Sequence, residues 1–174
     1  MTQLDINALN ALRPFCGKDN NRYYMQGVHI FDRDNERIYE ATNGHYLARI
    51  YTEKPDDSNV DLILKFSKRI KGTLSTLDGN NNILTDKDLI KTDSWNGCEW
   101  SVDCDRILNE FTSAKPADKY INFNPHYLAT ICDFFKDDWY HIEPPVCNEF
   151  KDPSPCFWQS RDKTRITALM PIRL

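Results

Sequence analysis

A chain of 174 residues, 40% hydrophobic and 28% charged, can form one domain with a proper core or two very small ones, and its evenly spread apolar residues exclude disorder. The net charge is −4, with 7 basic against 7 acidic groups in residues 1–55, 8 against 12 in 56–118 and 7 against 7 in 119–174; no basic arm exists, so tight autonomous binding to nucleic acid is excluded and any DNA contact must be weak, topological or local. No apolar run approaches the roughly 18 residues of a membrane span, and the opening MTQLDINALN lacks the basic-then-apolar order of a secretory signal, which points to a cytoplasmic protein without a membrane partner.

In chain order, TQLDI alternates and reads as a short strand, and NALNALRPF as a short helix capped by Asn7 and closed by Pro14 and Gly17. Three strand-like runs follow: 22–31 (RYYMQGVHIF), 37–42 (RIYEAT) and 46–51 (YLARIY), with turns at Asp34-Asn35 and Asn43-Gly44. Residues 56–118 are bounded by polar turns and contain one clear strand, 60–66; the rest reads as an insertion or connecting region, with Trp95 and Trp100 expected in the core. The last segment repeats the first. YINF reads as a strand, and Asn124 caps a helix that has Pro125 at its first position and Leu128, Ile131 and Phe135 along one face. Strands at 139–142, 156–160 and 164–170 complete it. The order strand, capped helix, three strands thus occurs twice, in 1–55 and 119–174, which predicts one 174-residue domain of two similar halves.

Chemistry-bearing motifs are lacking. There is no P-loop, no GxSxG elbow, no HExxH and no glycine-rich dinucleotide loop, and the four histidines are scattered, so neither catalysis nor a cofactor or metal is expected. Cysteines 16, 98, 104, 132, 147 and 156 form no CxxC pair and read as reduced, mostly buried thiols.

Four stretches carry a family resemblance. RYYMQGV (22–28) and ATNGHYLA (41–48) resemble, at similar separation, the RYYLNGV and ATDGHRLA segments of the bacterial DNA polymerase sliding clamp, the DNA polymerase III beta subunit. FNPHYL (123–128) resembles the clamp's FNxxYLLD, and the ending MPIRL (170–174) its MPMRL or MPVRL terminus. The matching regions cover about 1–53 and 119–174. The resemblance implies an α+β, DNA-clamp-like fold: two strand-helix-three-strand halves with helices on one face of antiparallel sheets. It also implies a non-enzymatic, shortened relative, of a kind a phage or mobile element would carry.

Clamps capture short linear peptides of polymerases and other replication proteins in a hydrophobic cleft. Carried over, one wall is Met25, Thr42, Gly44, His45, Tyr46 and Leu47, and the other is Ala168, Met170, Pro171, Ile172, Arg173 and Leu174. An extended peptide docks best where apolar pockets alternate with backbone hydrogen-bonding groups, and methionines suit a surface with several partners. Tyr46 stands where the family has Arg and Asn43 where it has Asp, which implies a shifted peptide preference. In the family the walls belong to adjacent domains, so in a one-domain chain they are expected to meet only across a subunit interface, unless the insertion at 56–118 rearranges them. Double-stranded DNA, held loosely inside a ring of copies, would meet Arg13, Lys18, Lys65, Lys68, Arg69, Lys71 and Lys136. Three functions compete: a processivity factor closing a homo-oligomeric ring, a non-encircling decoy or adaptor for host replication proteins, and a scaffold that has lost the cleft.

Overall fold

The first helix, α1 (Ile6–Leu12), is capped by Asp5, two residues earlier than the expected Asn7 cap, because the Asp5 carboxylate accepts from the N–H groups of both Asn7 (2.7 Å) and Ala8 (3.1 Å). Seven residues are too few for a stable isolated helix, so packing must hold it. Leu9, Leu12 and the following Phe15 are fully buried against the sheet, each contributing on the order of 2 kcal/mol. The computed structural model describes residues 2–18, 20–72, 75–113, 115–116, 122–135, 146–147 and 155–171.

The strands are β1 (Val28–Arg33), β2 (Glu36–Thr42), β3 (Tyr46–Glu53), β4 (Asp61–Lys65), β5 (Ser75–Leu77), β6 (Ile83–Thr85), β7 (Leu89–Ile90), β8 (Asp93–Asn96), β9 (Lys115–Pro116), β10 (Val146–Cys147), β11 (Cys156–Gln159) and β12 (Arg165–Leu169). Among the described residues, nine form one antiparallel sheet in the order β8-β4-β1-β2-β3-β12-β11-β10-β9, and β5-β6-β7 form a small second one. β3 and β12, the last strands of the two sequence-matched ends, pair at the centre of the large sheet. The Asp34-Asn35 turn forms as expected, with Asp34 in the left-handed region (φ 55°) that Asp and Asn tolerate better than most residues.

The sheet buries both faces. Val28, Ile30, Tyr39, Ala41, Tyr46 and Ala48 face α1 and α3 (Pro125–Phe134) in the main core. The opposite face carries a second core, in which Leu47, Phe157, Ile166 and Ala168 pack under α2 (Cys104–Asn109). As expected, Asn124 caps α3, accepting from the His126 N–H at 3.0 Å. Leu128 is partly buried, and Ile131 and Phe135 are buried.

Three expectations are corrected. TQLDI contributes only an isolated bridge, Gln3 to Thr76. RYYMQ is not the start of a strand: residues Asn20–Gln26 form 3-10 turns broken at Arg22, and β1 begins after Gly27, whose backbone lies so close to Leu64 that a Cβ would sit 2.7 Å from the Leu64 carbonyl oxygen. Cys156 is disulfide-bonded rather than reduced; it stands opposite Cys147 in the β10–β11 pairing. The strand expected at 139–142 lies outside the described residues. Residues 56–118 contribute β4, β8 and β9 to the large sheet and α2 to its second face. No helix among the described residues is long and apolar enough to cross a membrane.

Two buried ion networks tie this together. Arg37, with no exposed surface, pairs with Asp32 (2.8 Å) and Asp56 (3.2 Å) and also donates to the carbonyls of Gln3 and Ser58. Arg49, 3% exposed, grips Glu40 through Nε (2.9 Å) and NH2 (2.6 Å) and reaches Asp105 of α2 at 2.6 Å. Such buried charges are tolerable only because each is paired and hydrogen-bonded.

Candidate peptide-binding site

The site begins with the β2–β3 turn. Asn43 Oδ1 accepts from the N–H groups of His45 (2.9 Å) and Tyr46 (3.2 Å); Thr42 Oγ1 accepts from Gly44 (3.0 Å) and donates to the Tyr46 carbonyl (2.7 Å). Gly44 takes φ +88°, a left-handed conformation that costs it nothing, and the Arg22 guanidinium lies beside it. Turn and β12 are then joined directly: the Met170 N–H donates to the His45 carbonyl at 2.9 Å, and Leu47 stands opposite Ala168 in the β3–β12 register. The turn and the end of β12 therefore lie side by side within one chain, through adjacent strands.

Strand alternation divides the candidate residues between two faces. Leu47 and Ala168 sit on the α2 side, in the second core. Tyr46 points the other way, its ring stacked on Tyr127 of α3 (4.6 Å between centroids) and against Phe15 (4.7 Å), its hydroxyl donating to the Pro14 carbonyl at 2.7 Å. Burial pushes the Tyr46 phenol up to about 12, so it stays neutral. His45 is exposed and stacks on Tyr127 from its other neighbour position, at 5.6 Å. Met25 is buried, its carbonyl accepting from Gly17 at 2.7 Å. Met170 is 40% exposed at the end of β12, followed by half-buried Pro171. Ile172, Arg173 and Leu174 lie outside the described residues. Of the candidate set, Leu47 and Ala168 lie buried in the second core, with exposed Met170 just beyond the end of β12, while Tyr46 and His45 brace the helix side.

The sequence reading missed the third wall. α2 lays Cys104 and Leu108 onto Leu47, Phe157 and Ala168, with Trp100, Val102, Ile107 and Phe111 partly exposed around them. Asp103 caps α2, accepting from the Arg106 N–H at 2.9 Å, and Asp105 ties it to the sheet through Arg49 and Arg33 (2.6 Å each). The Asp103 cap followed by apolar residues four apart, Cys104 and Leu108, was the available signal. The partly exposed rim of Trp100, Val102, Ile107 and Phe111, with strand ends beside it, is the kind of apolar surface on which an extended peptide docks.

The cationic candidates gather elsewhere. Asn10 of α1 exchanges two hydrogen bonds with Ile70 (3.0 and 2.9 Å) and Arg13 donates to the Ser67 carbonyl at 3.2 Å, so the 67–71 loop, with exposed Lys68, Arg69 and Lys71, docks beside α1. A cavity of about 520 Å³ between α1 and α3 is lined by Arg13, Arg69 and Arg165, together with Asp133; Arg165 was not anticipated. Lys18 is exposed. Lys65 bonds Gln26 at 2.5 Å on the sheet and stands apart from this group, and Lys136 lies outside the described residues.

No family model and no curated protein sequence matches the chain. Solved structures do. A protein assigned as a DNA polymerase III beta subunit from Eubacterium rectale superposes with a TM-score of 0.69 at 12% identity, over 96% of this chain and 62% of that one. The sliding clamp of Pseudomonas aeruginosa gives 0.65 at 15% identity (97% and 64% covered), and the beta subunit of Thermotoga maritima 0.62 at 14% (99% and 65%). The chain spans less than two thirds of the length of each of these proteins. At such identities the likeness establishes architecture: the chain has a mixed α+β, sliding-clamp-like fold.

Proposed function

We propose that the protein is a non-enzymatic, sliding-clamp-like processivity factor that captures short linear peptides of replication proteins in the Leu47–Ala168–Met170 groove and, as a ring of copies, encircles double-stranded DNA. The observation that carries this is the Met170 N–H bond to the His45 carbonyl, which sets the turn and the end of β12 side by side within one chain. α2 supplies the remaining apolar wall. The 67–71 loop with Arg13, Arg69 and Arg165 gives the helix side its cations for loose phosphate contact. The chain works as one clamp-like unit, with 56–118 as its connecting part. Light scattering tests the ring: a hexamer supports it, and a monomer at high concentration removes it. Titration of a fluorescent clamp-binding peptide tests the groove, with loss of binding expected on removal of residues 170–174.

One observation favours a second reading, a decoy or adaptor that binds replication proteins without encircling DNA. Neither α1 (INALNAL) nor α3 (PHYLATICDF) carries a lysine or arginine, and the chain's net charge is −4. Peptide binding by a protein that stays monomeric would select this reading.

A further inference from the structure

On the α2 side of the large sheet, rings follow one another without a gap. Trp95 of β8 lies 5.6 Å from Tyr23, Tyr23 5.8 Å from Tyr24, Tyr24 6.4 Å from Trp100, Trp100 5.0 Å from His29 and His29 4.7 Å from Phe31. Trp100 also packs against the second core, so this aromatic stripe is continuous with the apolar rim of that core. Its outer end is open: Tyr23 is 42% exposed, and Tyr24 and Trp95 are half-buried.

Charge distinguishes that end. The Tyr23 hydroxyl donates to Glu99 at 3.1 Å, and Glu99 is exposed. Asp61, 58% exposed at its side chain, accepts from His29 Nε2 at 3.1 Å. Asp93 pairs across from Lys65, whose ammonium already donates to Gln26. At the far end Arg33 is engaged by Asp105. Aromatic faces bordered by carboxylates attract a cation twice, through the ring quadrupole and through Coulomb attraction. The same carboxylates repel a phosphate backbone, so the stripe does not suit single-stranded nucleic acid, despite its stacking surfaces.

We propose that this stripe extends the docking surface and takes a lysine- or arginine-bearing stretch of the partner peptide, the cation lying over Tyr23 and Trp95 beside Glu99 and Asp61. The proposal takes from the preceding function only the idea that a peptide lies in the adjoining groove.

The test is a fluorescence anisotropy titration of the full chain, at low salt, with a labelled clamp-binding peptide presented alone, with a flanking lysine run and with a flanking glutamate run. The lysine run is expected to tighten binding about fivefold, and Tyr23→Ala or Glu99→Gln to abolish that gain while leaving the unextended peptide unchanged. Equal affinity for all three peptides would overturn the stripe and leave the groove standing. A lysine run that binds in a Tyr23-dependent way while the unextended peptide fails would support the stripe and remove the groove. Gain from the lysine run that survives both substitutions would reduce it to diffuse attraction by the chain's net charge and overturn the proposal. Tyr23-dependent binding of a single-stranded oligothymidylate, as tight as the lysine peptide, would overturn it in favour of nucleic acid.

Discussion

Replacing Arg49 by Met should be among the most damaging single changes in the sheet. The guanidinium is 3% exposed and Glu40 2%, and they share two bonds of 2.9 and 2.6 Å. Burial disfavours the charge on Arg49, but the Glu40 carboxylate outweighs it and holds the group firmly protonated. Removing one partner of a buried pair leaves the other uncompensated, at a cost of about 3–5 kcal/mol. For a chain of this size that is on the order of a 10 °C fall in Tm. The double change Arg49→Met with Glu40→Leu removes both charges, leaving His29 with Asp61 and Asp105 with Arg33, and should recover at least half of the loss. Urea denaturation of the wild type, the single variant and the double variant measures this. A single variant within about 1 kcal/mol of wild type, or a double variant no better than the single, would refute the reasoning.

Asp105, whose carboxyl the Arg33 hydrogen bond and then Arg49 hold below the usual carboxylate range, contributes stability that is present above its unfolded value of about 4 and is lost as pH falls through the lower folded value. Fluorescence of Trp100 should therefore report loosening of α2 in acid, and Asp105→Asn should weaken the α2 attachment already at neutral pH. Asp5→Ala should cost about 1 kcal/mol and Asn7→Ala much less, as read from denaturation midpoints, because Asp5 makes both cap bonds. Gly27→Ala should destabilise by about 1–3 kcal/mol, since the new Cβ would meet Leu64 backbone 2.7 Å away, and a thermal melt would show it.

Much of the fold was written in local patterns. Asn124-Pro125, the alternation in β2 and β3 and the Asp34-Asn35 turn each act over a few residues, and each formed where the pattern placed it. What escaped was set by distant contacts. RYYMQ has strand composition, yet its rings pack against Trp95 and Trp100, more than 70 positions away, and Gly27 is pinned by Leu64. Those contacts override a propensity worth about 1 kcal/mol at most. The two tryptophans, expected in the core, are half-buried on the sheet's second face. Joining Tyr46 and Leu47 in one wall ignored the period of two that sends neighbouring strand residues to opposite faces. α2, six residues long, is too short for periodicity to announce it, and its role rests on ion pairs formed across more than 50 positions.

The central claim is that Leu47, Ala168 and Met170 form a groove that holds a partner's extended apolar segment. Anisotropy titration of a labelled clamp-binding peptide against wild type and Met170→Glu, with circular dichroism to confirm that the variant folds, addresses it most directly. Micromolar binding by the wild type and at least tenfold weaker binding by the variant, a difference of about 1.4 kcal/mol or more, is the predicted result. Equal binding by both proteins, or none by the native protein at about 50 μM, would contradict it.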